Sequence, residues 1–366
     1  MKKKNNSDKT AENRWNESAL SKVLLADYDK LAKAITERKQ KAFHELITQH
    51  DIEWIKLLEY THYDLSSLIN ALTSSSPEVF IDYMAWAAAL FKSNNIPFDL
   101  LKKNIEIIDE VLTSFLPSHH KAFLSAYLQE AVSEIDKYST LQKTHIDLSS
   151  PHGKLAEKYL TALVSANREK AIQLILDSYR NGVSIIDIYL HVLQPVQYEI
   201  GLLWQLNKIS VALEHYASSV TQLVMSQLYS SICLKNNKSK GVIVAVCASG
   251  ELHEIGIRMV ADFFEMEGWK THFLGANMPV NDLVQTLLAQ KPDLLAISAS
   301  MSSNVVKTTK VIKAVRSSQT HDITIIVGGY LFNRVPELWK QVGADYYAQD
   351  AKEALRIANQ ILKQKN

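Results

Sequence analysis

After residue 240 the chain alternates between short apolar runs rich in β-branched residues and helix-length amphipathic segments, and no other feature limits its fold as tightly. The runs lie near 242–246, 270–274, 293–298, 323–327 and 345–347; the helical segments lie near 253–267, 280–290, 303–317, 334–341 and 351–363. Strands this apolar are buried on both faces, so the pattern predicts a parallel sheet covered by helices on either side. Right-handed crossovers make it doubly wound.

Everything before residue 240 reads as helix. Residues 1–20 are polar and predict a disordered tail, with the lysines at 2–4 a solvated end. Leu24, Leu25, Tyr28 and Leu31, and later Ile105, Ile108, Leu112 and Phe115, recur at helical spacing, which predicts an all-helical domain over 21–142. Its breaks fall at Ser74 to Pro77, Asn94 to Pro97 and Pro117-Ser118. A polar stretch near 143–153 leads into a second helical block over 150–236, with helices expected at 154–165, 167–181, 184–204 and 210–233 and Ser210 capping the last. A second polar linker, 236–240, precedes the sheet domain of 240–366. The expected fold class is an all-α N-terminal domain and a helical-bundle cap, followed by a five-stranded α/β domain of flavodoxin-like strand order, 2-1-3-4-5.

Ligands of such sheets bind outside the carboxyl ends of the strands, so the loops there matter most. After the first strand comes Ser249-Gly250-Glu251-Leu252-His253-Glu254-Ile255-Gly256; after the third, Ser298-Ala299-Ser300; after the fourth, Gly328-Gly329. In the order 2-1-3-4-5 these three loops line one crevice. Serine and paired glycine at strand ends remove bulk, leaving room for a long planar or rod-like group. A neutral imidazole at His253 can ligate a metal through one nitrogen while Glu251 holds the other.

Glu251-x-His253-x-x-Gly256, Ser298-x-Ser300 and Gly328-Gly329 together resemble the signature of base-off, His-on cobalamin-binding proteins, which usually reads Asp-x-His-x-x-Gly, Ser-x-Leu, Gly-Gly. The spacing suits that family: 41 residues lie between Gly256 and Ser298, and 27 between Ser300 and Gly328. The resemblance implies a Rossmann-like domain in which His253 is the lower ligand of the cobalt. It also implies that the nucleotide tail of the cofactor lies in the groove lined by the serines and glycines. Glu251 stands where Asp is usual, and Ser300 where Leu is usual.

The helical block carries a second resemblance. Trp204, nine residues, then Glu214-His215 is similar to the cap of light-sensing cobalamin regulators, as is the wider segment from Asn167-Arg168 through Pro195 to Ala217. This implies that Trp204 covers the corrin, with Glu214 and His215 approaching an adenosyl group. Gln205 stands where those photoreceptors carry a second cobalt-binding His. The implied function is a cobalamin photoreceptor, a signalling or transcription regulator rather than an enzyme. Adenosylcobalamin is then the favoured form and methylcobalamin the alternative. A bilin as second chromophore is compatible, although no residue points to one. The alternative is a corrinoid methyl carrier of a cobalamin-dependent methyltransferase system.

A formal charge of +1 gives no basis for nucleic-acid or acidic-membrane affinity of the whole chain, and no basic helix-turn-helix is visible, so direct DNA binding is not expected. A protein partner or self-association is the expected output. No apolar run approaches the ~20 residues that cross a bilayer, and two cysteines make no disulfide framework, so a cytoplasmic location is expected. Cys247 reads as a buried small residue, His119-His120 as structural or surface positions, and Ser302-Ser303-Asn304 as a helix cap.

Overall fold

The computed structural model describes residue 17 and residues 19–49, 53–138, 144–232, 239–318, 322–335 and 337–365. The chain divides into two compact units, 1–141 and 142–366. The expected tail over 1–20 falls largely outside the described residues, as does most of the 236–240 linker.

In the first unit the described helices include α1 (Tyr28–Ala42), α2 (His44–Gln49), α3 (Trp54–Ser74), α4 (Pro77–Ser93), α5 (Phe98–Phe115) and α6 (Ser118–Tyr138). The breaks match the Ser/Pro, Asn/Pro and Pro-Ser punctuation. Leu31, Ile35, Leu65, Leu68, Phe80, Ile105 and Leu112 are buried between them. One buried polar knot crosses this core. The Lys39 ammonium lies 2.6 Å from the Asp64 carboxylate, which also accepts from Tyr83 at 2.7 Å and Asn104 at 3.2 Å. With its partners present, that buried charge is tolerated.

The second unit begins with a helical bundle: α7 (Gly153–Val164), α8 (Arg168–Arg180), α9 (Ile185–Ile188), α10 (Gln194–Gln205) and α11 (Val211–Tyr229). Side-chain caps start three of them. Asn167 accepts from the Lys170 N–H, Ser184 from Asp187 and Ser210 from Leu213. The single helix expected over 184–204 is interrupted by a π-helical turn at Tyr189–Leu193. Gln194 N–H returns to the Tyr189 carbonyl, and Pro195, just after it, has no N–H for the carbonyl four residues back.

The sheet strands are β1 (Val242–Cys247), β2 (Lys270–Gly275), β3 (Leu294–Ser298), β4 (Thr324–Gly328) and β5 (Tyr346–Ala348), all parallel in the order β2-β1-β3-β4-β5. The helices between and after them are α12 (Ile255–Met266), α13 (Val280–Gln290), α14 (Val305–Ser317), α15 (Tyr330–Arg334), α16 (Leu338–Val342) and α17 (Ala351–Lys365). Ile243, Ala245, Cys247, Leu294, Ala296 and Ile326 pack on one face against Ile257, Ala261 and Phe264 of α12 and Ala354, Ile357 and Ile361 of α17. The helix expected over 334–341 is instead two short ones, because Glu337 takes a left-handed conformation (φ 64°) that an α-helix cannot continue through.

The π turn carries Tyr189 onto the sheet domain. Its hydroxyl donates to Asp262 at 2.8 Å, its ring stacks on Phe263 at 6.1 Å, and Arg258 reaches the other Asp262 oxygen at 3.4 Å. Burial raises the Asp262 carboxyl to about 6, against the opposing pull of Tyr189 and Arg258. Because the folded value lies above the unfolded one, folding favours the protonated form. Stability from this group is full below pH ~4 and falls as pH rises through about 6. Asp262→Asn should therefore flatten the pH dependence and gain about 1–3 kcal/mol at pH 7.5, with little gain at pH 4. Urea unfolding at the two pH values measures this, and an unchanged slope would refute it.

Candidate functional site

The β-strand register brings the three loops together. Cys247 pairs with Ser298, and Ser298 with Gly328, so the segments that follow leave the sheet side by side. Gly329 has φ 101° and ψ 171°, a region open to glycine alone, and a Cβ there would lie 2.4 Å from the Ala299 carbonyl oxygen. This close approach closes the corner between β3 and β4.

Glu251 organises the site. It is 1 % exposed and its carboxylate accepts six hydrogen bonds. Oε1 takes the backbone N–H groups of Leu252 (2.9 Å) and His253 (3.0 Å) and the His253 ring Nδ1 (2.5 Å). Oε2 takes the N–H of Ser300 (2.6 Å) and of Met301 (3.4 Å), and the side-chain amide of Asn304 (2.8 Å). Burial alone would raise this carboxyl, but the bonds from His253 and Ser300 outweigh it and hold it at about 2. The bond to Glu251 raises the His253 imidazole against its own partial desolvation, and Glu214 of the cap adds to the rise.

With Nδ1 committed to Glu251, His253 keeps Nε2 for a ligand, on a side chain that is 58 % exposed. Leu252 beside it and Met301 across the crevice are exposed apolar side chains, 72 % and 46 %. Among the described residues no group of three or more His, Cys, Asp or Glu could hold a metal ion. A metal here would take one protein ligand and bring the rest of its coordination with it.

Beside the loops lies a groove, partly open to solvent, lined by Gly256, Ser298, Gly328 and Gly329 and, from the cap, by Gln194 and Tyr198. A Cβ on Gly256 would meet nothing within 4 Å, so the missing side chain leaves that space free. Ser298 is 6 % exposed, and no hydrogen bond to its hydroxyl is found among the described residues. The glycine-lined groove, the Ser298 hydroxyl and the oriented imidazole fit a corrinoid held through His253.

Residues 241–356 match the family model of the B12 binding domain, and residues 155–229 match a second B12 binding domain model. Both matches fall in the second unit and support corrinoid binding there. The chain is 24 % identical over 210 residues to dimethylamine corrinoid protein 3 of Methanosarcina acetivorans, covering 57 % of this chain and 97 % of that protein. It is 28 % identical over 124 residues to a dimethylamine corrinoid protein of Methanosarcina barkeri, covering 33 % of this chain and 57 % of that protein. Among solved structures, the monomethylamine corrinoid protein of Methanosarcina barkeri superposes with a TM-score of 0.51 at 22 % identity, covering 57 % of this chain and 99 % of that one. That likeness shows the fold.

These relatives overturn the light-sensing reading. The relatives that the sequence matches are corrinoid proteins named for a methylated amine. Trp204 stands at the end of one cap helix, and Glu214 in the first turn of the next, where the helix dipole favours an acid. Trp204 is 40 % exposed at the end of α10. Glu214 accepts from Ser218 and acts on His253, whereas His215 is 75 % exposed and 3.4 Å from Glu214.

Two further expectations change. Ser300 works through its backbone N–H rather than by keeping the groove open. Asn304 precedes α14 but makes no side-chain cap; it is 2 % exposed and donates to Glu251 instead. Cys247 is buried as expected, and burial together with Glu251 and Glu254 pushes its thiol up, keeping it protonated. His120 is 4 % exposed with its Nδ1 unpartnered, in keeping with a structural position. No helix among the described residues is long and apolar enough to cross a membrane.

Proposed function

We propose that the chain is a corrinoid methyl carrier of a cobalamin-dependent methyltransferase system. It has no catalytic centre of its own and presents its cofactor, as methylcobalamin in the loaded form, to partner methyltransferases. The single observation that carries this reading is the exposed His253 imidazole held by the buried Glu251 carboxylate beside a groove, in a chain whose match spans almost the whole of a dimethylamine corrinoid protein. When bound, the corrinoid supplies a cobalt that accepts and gives up a methyl group.

The chain's own residues bind and orient. His253 Nε2 would hold the cobalt, while Glu251 holds the Nδ1 proton. A carboxylate held at about 2 remains an anion throughout the neutral range, so the imidazole keeps one tautomer and one orientation. Ser298, Gly256, Gly328 and Gly329 line the channel for the nucleotide tail. Gln222 of α11 donates to Glu254 at 2.9 Å and ties the cap to the loop that carries His253. Trp204, 40 % exposed at the end of α10, would contact the corrin or a partner.

The test is methyl transfer in the dark. The full chain, loaded with cobalamin and reduced, is incubated with isotope-labelled dimethylamine and a dimethylamine:corrinoid methyltransferase. Label should accumulate on the protein-bound corrinoid at a rate well above that for free cobalamin. Label on the bound corrinoid no faster than on free cobalamin would sink the reading.

A further inference from the structure

We propose that α14 is the face on which a partner methyltransferase docks, and that the partner meets it with an acidic surface. The inference rests on the corrinoid-carrier reading and locates the contact which that reading requires. Lys307, Lys310 and Lys313 are exposed and recur every three residues along α14. Thr308, Val311, Ile312 and Val315 are buried, so the lysines share the outward side of the helix. At helical rise the three charges span about 9 Å, close to one Debye length at physiological salt, and act together on whatever approaches.

Nothing in the fold calls for this row. α14 has no acidic residue, and among the described residues none of the three ammonium groups has an ion-pair or hydrogen-bond partner. Elsewhere in the sheet domain Lys240, Arg316, Lys340 and Arg356 each sit against a carboxylate. Like charges three residues apart on a helix repel, and Lys307 in the first turn also meets the positive end of the helix dipole. Charges that strain the free protein and find no partner within it are those that a docked acidic surface neutralises.

Position adds the second argument. α12 and α17 cover the sheet face to which the cap is tied, where Tyr189 and Gln222 reach Asp262 and Glu254. With right-handed crossovers in the order β2-β1-β3-β4-β5, α13 and α14 cover the opposite face. The row starts at the crevice: a Cβ on Gly250 would lie 2.5 Å from Lys307 Nζ, which places that ammonium against the loop that carries His253. A partner seated on α14 thus adjoins the loop that holds the corrinoid without competing with the cap for surface. Other polyanions fit less well. Three lysines fall short of the about four to eight that hold an anionic membrane, and α14 has no aromatic side chain to stack on a base.

The experiment is the dark methyl-transfer assay with dimethylamine and a dimethylamine:corrinoid methyltransferase, run on the full cobalamin-loaded chain from about 20 to 500 mM salt. Lys307→Gln, Lys310→Gln and Lys313→Gln combined remove the charge together with its repulsion, so folding is not at risk; the corresponding triple change to Glu reverses the charge. At low salt the second-order rate constant should fall about tenfold in the Gln variant and about a hundredfold in the Glu variant, and all three proteins should converge at high salt. Lys352→Glu with Lys363→Glu, exposed on α17, should leave the rate unchanged. EPR of the bound Co(II) corrinoid should be the same in every variant, which separates lost docking from a damaged cofactor site. Rates that ignore salt, or triple variants as fast as wild type, would overturn the proposal while wild-type transfer keeps the carrier reading. An altered EPR spectrum in the triple variants would overturn it too, as would duplex DNA or phosphatidylserine vesicles retaining wild type but not the Gln variant. If wild type takes up methyl no faster than free cobalamin, both fall.

Discussion

His253→Ala should abolish histidine ligation of the cobalt and weaken corrinoid affinity by about a hundredfold or more. Removing a group that only orients a metal ligand costs 10- to 100-fold, and here the ligand itself is lost. The fold should survive, because the ring is 58 % exposed and its contact to Glu251 is one of six that the carboxylate accepts. The decisive readout is EPR of the bound Co(II) corrinoid, whose nitrogen splitting should vanish in the variant. Added imidazole should restore the signal in part, since the space left by the side chain opens toward solvent. Unchanged splitting and affinity in His253→Ala would remove this residue from the cofactor site.

Glu251→Gln should cause the largest loss of stability of any single change at the site, about 3–5 kcal/mol. The carboxylate is buried and takes hydrogen bonds on both oxygens, each of the charge-assisted kind that contributes roughly 1.5–3 kcal/mol, though not additively. An amide must turn an NH2 toward one set of donors, either Ser300 and Asn304 or His253 and Leu252. For a unit of this size the melting temperature should fall by roughly 10 °C. Here the folded carboxyl lies below its unfolded value, opposite to Asp262. Its contribution is present above pH ~4.5 and fades as pH falls toward about 2, so the gap between wild type and Glu251→Gln should be full at pH 7 and shrink in acid. Thermal melts at pH 7, 4 and 3 follow it. A variant as stable as wild type at pH 7 would show that the carboxylate is not the organising group.

Asn304 shows why part of this site was hidden. Beside Ser302 and Ser303, just ahead of a helix, it has the signature of a cap, and nothing local indicates otherwise. Its true partner is Glu251, 53 residues earlier in the chain, reached only because β1 and β3 are neighbours in the sheet. The same holds for Ser300, whose contribution is a backbone N–H and so carries no side-chain signal. Glu214, on the cap, adds to the rise of the His253 imidazole, an influence that its own sequence neighbourhood does not signal.

The π turn was likewise invisible to periodicity. Residues 184–204 carry an unbroken helical pattern, and only Pro195 hints at a fault. What fixes the turn's value is Asp262 on another helix, which Tyr189 reaches through it.

The sequence by itself determined the order of strands and helices, the parallel sheet, and the loops on which His253, Ser298 and Gly329 stand. These follow from periods of two and about 3.6 residues and from glycine's freedom at strand ends, all local properties of a chain. The tertiary structure alone decided which donors surround Glu251 and where Tyr189 lands. Those depend on crossovers and register that bring residues dozens of positions apart within 3 Å, and no local pattern encodes a distance of that kind.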